Sequence, residues 1–522
     1  SVLALAECPI DVVARPDGSV EFDPIEMWNS VLTAARDAHA AAGTPRLAAI
    51  GLGNQGETIL AWDRRTGEPL SRAMVWQDRR SLSVCNAIRS HNPNAPARLE
   101  QLTGLTLDPY FVAPKLVWMR DQLGLSGNTT AITTTAITTT DTWLLHRLCG
   151  GYATDVATAG RTMLLDLDSV TWSDEACSIF GLDPSDLPEV RRNTDTFGEC
   201  TLFGGSVPVT GACVDQQAAL FAERCRTVGE AKCTYGTGAF MLACTGRTPV
   251  RSQQGLAGCP AWHTDAAPVY CLDGQVYTVG AAVSWLIEMG IMQEAADLDR
   301  LGSTVVDAGG VSFVPALAGL AAPWWQPSAK AMFAGMSLGT ERGHLVRAAI
   351  DGIAAQVALL ARAAGDDLGS PLSLLRVDGG LTRSHLLLQT QADLLQCPVE
   401  VYPSPHATAL GVALIGGLLT FLPTKPGLAR VMALGSAILS LAMVVAGLAL
   451  YKQPMHWEFD AEWLQTLGSR FALKGDSIGM LMSLLTAIGV LLAVLGSWNN
   501  EVQGSNRFYG LLLWMQIGRA HV

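Results

Sequence analysis

The 522-residue chain is short of charge: Asp, Glu, Lys and Arg together make up 16% of it. Basic residues are the scarcer kind, 35 Lys+Arg against 47 Asp+Glu, for a net charge of −12. Without a basic surplus to neutralise phosphates, the composition speaks against a nucleic-acid partner. There is no C-x-x-C pair and no Cys/His cluster with zinc spacing, so a dithiol motif and a zinc site are not expected. The 12 cysteines all precede residue 398 and read as buried, reduced thiols of a cytoplasmic protein. The chain opens Ser1-Val2-Leu3 with no Met, and no charged segment precedes an apolar run there. A secretory leader is therefore not expected, and the natural start is expected upstream. A disordered acidic chain is excluded by the 49% apolar content.

What is present is unevenly distributed. Residues 418–522 hold 7 Lys+Arg and 5 Asp+Glu, and the first 417 hold 28 and 42. A boundary near 417 follows. Residues 47–62 (LAAIGLGNQGETILAW) read as strand, turn and strand, and 63–70 (DRRTGEPL) as a hairpin turn. Helical periodicity marks 26–42, 211–225 and 344–363. Strands and helices alternating at this length predict an α/β protein with more than one sheet. The tract 130–140 (TAITTTAITTT) is either a β-branched strand or a small duplication without function.

Three polar islands interrupt the apolar runs. The first is Asn54-Gln55-Gly56-Glu57. The second is GACVDQQ at 211–217, where Asp215 is either a helix N-cap or a base. The third pairs the glycine turns YGTG (235–238) and VDGG (377–380), of the kind that offers backbone N–H groups to phosphate. An Asp at a helix start, a Thr-bearing glycine turn 22 residues later and a further Gly-Gly turn after a strand suggest a base beside a nucleotide site.

These stretches carry a resemblance. Residues 53–81, 103–118, 140–148, 211–221 (GACVDQQAALF), 232–242 (KCTYGTGAFML), 319–325, 331–351 and 376–384 (RVDGGLTRS) resemble the FGGY carbohydrate kinases, of the glycerol kinase type. The resemblance implies a two-lobed actin/hexokinase-like (ribonuclease H-like) fold, with lobes at 1–222 and 223–417. It implies transfer of a phosphoryl group from ATP, with Mg2+, to a hydroxyl of a polyol or sugar. On it, Asp215 is the general base and a metal ligand. Glu57, Trp76, Tyr110, Gln216 and Phe240 match the substrate pocket, although the aromatics also suit ordinary core packing. Gly236, Thr237, Gly280, Ser284, Gly380 and Ser384 match the nucleotide site. A homo-oligomer of the kinase part is a further expectation.

Two departures stand out. Glycerol kinases carry Arg before the substrate Glu, as N-Q-R-E-T, and position 56 here is Gly, which opens the site to another polyol or sugar. The family's first hairpin, D-x-G-T, does not occur in the chain, so weakened activity is expected from this sequence as it stands.

Residues 428–451 and 477–498 are apolar and long enough to span hydrocarbon at ~1.5 Å per residue. Residues 418–516 resemble the start of subunit M of NADH-quinone oxidoreductase. The expectation is therefore an all-α inner-membrane segment at 418–522, joined to the kinase as a chimera and making its only membrane contact. The alternative reading is a fragment of that proton pump's membrane subunit, with the kinase part as the passenger.

Overall fold

The computed structural model describes residues 2–125, 134–264, 267–326, 328–417, 457–464 and 469–475. Ser1–Gly417 and Leu418–Val522 are separate compact units.

In the first lobe, Asp23 ends an extended segment and accepts the Ile25 N–H at 2.8 Å, with Pro at the first helical position of Pro24–Ala41. The inward face of that helix carries Trp28, edge-on to Trp143 at 6.4 Å between ring centroids. An antiparallel sheet has the strand order Val13–Ala14, Val20–Phe22, Ala73–Met74, Ile59–Asp63, Thr135–Thr139. The expected hairpin turn follows Ile59–Asp63: the Asp63 carboxylate accepts the Arg65 and Thr66 N–H groups, and Gly67 takes φ +74°. Part of the threonine tract is thus a strand, Thr135–Thr139, paired with Ile59–Asp63. The tract's residues before 134 lie outside those described.

A second sheet joins Gly198–Cys200, Val207–Val214 and Ile50–Asn54, the last two parallel. This corrects the helical reading of 211–225. Residues 211–214 finish the strand Val207–Val214, and the helix Asp215–Ala222 starts only at Asp215. A short buried strand and a buried helix segment are equally apolar, so periodicity does not separate them.

The second lobe is built on six strands in the order Ala257–Trp262, Val269–Val276, Ala239–Gly246, Glu230–Tyr235, Leu374–Gly379, Val399–Val401. The first four pair antiparallel and the last two add in parallel. The helix Arg342–Leu368 packs across Ala239–Gly246 and Val269–Val276 and buries Val346, Ile350, Ile353, Val357 and Leu360. It is long and apolar enough to cross a membrane by composition, and here it forms the core of the lobe.

In the second unit the strands Trp457–Leu464 and Ser469–Gly475 pair antiparallel, with Trp457 opposite Gly475. The all-α expectation for 418–522 therefore fails at this segment. WEFDAEW alternates apolar and acidic residues with period two, the pattern of a half-buried strand. The apolar runs 428–451 and 477–498, and the membrane contact expected of them, lie outside the described residues.

Candidate active site

The parallel strands Ile50–Asn54 and Val207–Val214 end side by side, Asn54 opposite Val214. The residues that follow them, Gln55-Gly56-Glu57 and Asp215-Gln216, therefore meet beyond the carboxyl edge of the sheet, where open α/β sheets place ligands. Glu57 has φ +55°, a left-handed conformation uncommon outside glycine and concentrated at functional sites.

Glu57 and Arg161 are 4% and 2% exposed. Arg161 Nε donates to Glu57 Oε1 at 2.5 Å, and its terminal nitrogen lies 2.6 Å from Asp273 Oδ2. Burial pushes both carboxyls up, and the Arg161 charge opposes that shift. Burial alone would lower Arg161, but Glu57 and Asp273 hold it well above the usual arginine value. From below, Lys115 Nζ donates to the carbonyls of Glu57 at 3.2 Å, of Phe111 at 3.4 Å and of Tyr110. Burial brings Lys115 down to about 8, with Glu57 opposing.

Asp215 is the first residue of its helix, and Val214 is the N-cap. Its carboxylate accepts the Gln216 N–H at 2.8 Å, and it stays partly exposed to the cleft. Burial raises its pKa, with Lys232 pulling the other way. Lys232 Nζ donates to Gln216 Oε1 and, at 2.8 Å, to Thr234 Oγ1.

Glu57, Trp76, Tyr110, Asp215, Gln216 and Phe240 all line one cleft of about 200 Å3. Trp76 stands edge-on to Phe240 at 5.5 Å and to Tyr110 at 5.8 Å, an apolar wall facing the carboxylates. Such a cleft fits a small carbon chain bearing hydroxyl donors.

A second cleft, about 530 Å3, is lined by Gly236, Thr237, Gly280, Ser284 and Gly380 together with Trp285 and Glu288. It meets the first at Gly236 and Thr237, which line both. The loop is tight: a Cβ at Gly280 would lie 2.4 Å from the Gly236 carbonyl oxygen. Ser384 is not among the lining residues. It caps the helix His385–Leu395, accepting the Leu387 N–H at 3.2 Å, and its hydroxyl donates to Asp299.

Arg161, Asp273, Lys115 and Lys232 went unread in the sequence. Arg161, Asp273 and Lys115 are each a lone charge in an apolar stretch (TAGRTML, YCLDGQV, VAPKLVW), and Lys232 follows Glu230 by two residues in EAKCTY; such charges are buried only when paired. Among the described residues no group of three or more His, Cys, Asp or Glu forms a metal cluster. Asp215 by itself suits magnesium, which commonly takes one or two carboxylates and completes its shell with phosphates and water.

Models of the FGGY family of carbohydrate kinases match the chain, the N-terminal domain over residues 1–222 and the C-terminal domain over 231–419. A glycerol kinase of Thermus brockianus is 44% identical over 407 residues, 77% of this chain and 82% of that protein. The structure of Plasmodium falciparum glycerol kinase with ADP superposes with TM-score 0.74 at 32% identity, covering 80% of this chain and 85% of that one. A xylulose kinase from Rhodospirillum rubrum shares the fold, with TM-score 0.68 at 23% identity over 78% and 84% of the two chains. With both domain models matched in order and identity this high over most of its relatives' length, the chain belongs to the FGGY family of carbohydrate kinases.

Proposed function

We propose that the protein transfers the γ-phosphoryl group of ATP to a hydroxyl of a small polyol, as a glycerol kinase-like enzyme. One observation carries this reading: Asp215 faces a cleft that opens, across Gly236 and Thr237, into a second cleft with a glycine-turn floor. In this reading the acceptor lies against Trp76, Tyr110 and Phe240, with hydroxyls donating to Glu57. Asp215 accepts the proton of the attacking hydroxyl as it meets the γ-phosphorus. The backbone around Thr237 and the start of the helix Gly280–Glu288 receive the phosphates. Bound magnesium supplies charge neutralisation on those phosphates, with Asp215 as its protein ligand. Glycerol is the first candidate acceptor. Gly56, where glycerol kinases carry Arg, supports a second small polyol or sugar as the alternative. We place the activity in the cytoplasm, the reducing compartment that suits twelve free thiols.

The test uses the full chain with ATP, magnesium and a panel of polyols and sugars, reading both ADP formation and equilibrium binding. Acceptor-dependent ADP formation is expected, abolished by Asp215→Asn. A chain that neither binds nor phosphorylates any acceptor would overturn the reading.

A further inference from the structure

Gly56 and Val214 meet on one wall of the acceptor cleft, and both flank the base. A Cβ built on Gly56 would stand 2.8 Å from Val214 Cγ2, closer than real side-chain carbons approach. Val214 has no room to yield. It is β-branched and therefore stiff at χ1, 2% exposed, and packed with Ala218, Leu220 and Val412 in one apolar cluster. It ends the strand Val207–Val214 and caps the helix whose first residue is Asp215. From the other side, the Gly56 amide lies beside the Asp215 carboxylate. The wall and the base are thus parts of one backbone arrangement, and Gly56 is the residue that lets them close on each other.

The chemistry of this wall differs from that of the rest of the cleft. Glu57, Asp273 and Asp215 present oxygen acceptors, and Arg161 is turned to Glu57 and Asp273. Val214 adds only methyl groups to the cleft lining and Gly56 no side chain at all, between the amides of Gln55, Gln216 and Gln217.

Resting on the kinase reading above, we propose that Gly56 and Val214 form a single specificity-determining unit that sets the length of the acceptor. Val214 closes the cleft at the end beside the base, so a short neutral polyol fits with a C–H edge against its methyls, and each added carbon meets the valine. One methylene in an apolar pocket is worth roughly 10–200-fold in discrimination. The pair acts together: a side chain at 56 fits only when 214 is trimmed.

The experiment measures kcat/KM of the full chain for glycerol, erythritol and ribitol, three neutral polyols of rising length, in the unaltered enzyme and four variants. Val214→Ala is expected to raise the erythritol-to-glycerol and ribitol-to-glycerol ratios by about 10-fold or more. Val214→Ile, which narrows the cleft without leaving a cavity, is expected to lower the same ratios, so the proposal stands even where the alanine variant folds poorly. Gly56→Ala is expected to lower kcat/KM for glycerol by about 10-fold, because its Cβ drives against the Val214 methyl. Adding Val214→Ala to it should recover most of that loss. Ratios unchanged in both Val214 variants, or a Gly56→Ala defect that Val214→Ala does not relieve, would overturn the proposal while glycerol turnover leaves the kinase reading standing. An unaltered chain that phosphorylates no acceptor would overturn both.

Discussion

Arg161 donates to Glu57 at 2.5 Å across 104 residues of sequence, from a side chain that also holds Asp273 at 2.6 Å. The guanidinium fixes the carboxylate that would receive the acceptor's hydroxyls, and it does so in a region nearly closed to water. Breaking a buried pair from one side typically costs about 3–5 kcal/mol, because the partner's charge stays behind. Arg161→Met should therefore lower the melting temperature and raise KM for the acceptor by about 100-fold, with a smaller fall in kcat. Thermal unfolding and steady-state kinetics on one preparation check this, and an unchanged KM in a folded variant would remove Arg161 from the site's support.

Asp215 should behave as a base and not as a cap. Asp215→Asn keeps the hydrogen-bonding shape and loses the proton acceptor, so kcat should fall about 100–10,000-fold while acceptor affinity changes little. Burial raises the Asp215 pKa, so its active, ionised form disappears as pH falls through that raised value. The acid limb of kcat/KM is expected above the ordinary aspartate range, and the residual activity of the asparagine variant should lack it.

Glu223 makes a separate prediction about stability. Both its carboxylate oxygens are buried without a hydrogen-bond partner, and burial pushes it up to about 8 from the ordinary glutamate value of 4.5. The folded state thus holds this proton more tightly than the unfolded state. Its contribution is fully present below pH 4.5 and is lost as pH rises through about 8. Glu223→Gln should flatten the fall in melting temperature between about pH 4.5 and 8, read by thermal unfolding across that range. A variant that loses stability equally at every pH would contradict this.

Gly280 tests the second cleft. Its absent Cβ would lie 2.4 Å from the Gly236 carbonyl, a backbone atom that moves only with the loop. Gly280→Ala should raise the dissociation constant for ADP by about 10-fold or more and leave acceptor binding near its original value, as calorimetric titration of each ligand would report. Unchanged ADP binding would place the nucleotide elsewhere.

Much of the site was readable because its chemistry is local: NQGE, VDQQ and YGTG each sit directly after a strand and bring their residues to the sheet's edge without any long-range information. What escaped reading depends on distant pairing. Arg161 meets Glu57 and Asp273 only once both lobes are folded, and Lys115 reaches the Glu57 carbonyl 58 residues away. Residues 211–214 were misassigned because a buried strand and a buried helix share one composition. In the second unit the strand Trp457–Leu464 was overlooked between two long apolar runs, although its period-two alternation was visible.

The central claim, phosphoryl transfer to a polyol with Asp215 as base, is tested most directly by 31P NMR of the full chain with ATP, magnesium and glycerol. The account predicts a phosphomonoester resonance growing in step with ADP, and its loss in Asp215→Asn. ADP accumulating with inorganic phosphate alone, or a phosphomonoester formed equally well by the asparagine variant, would contradict it.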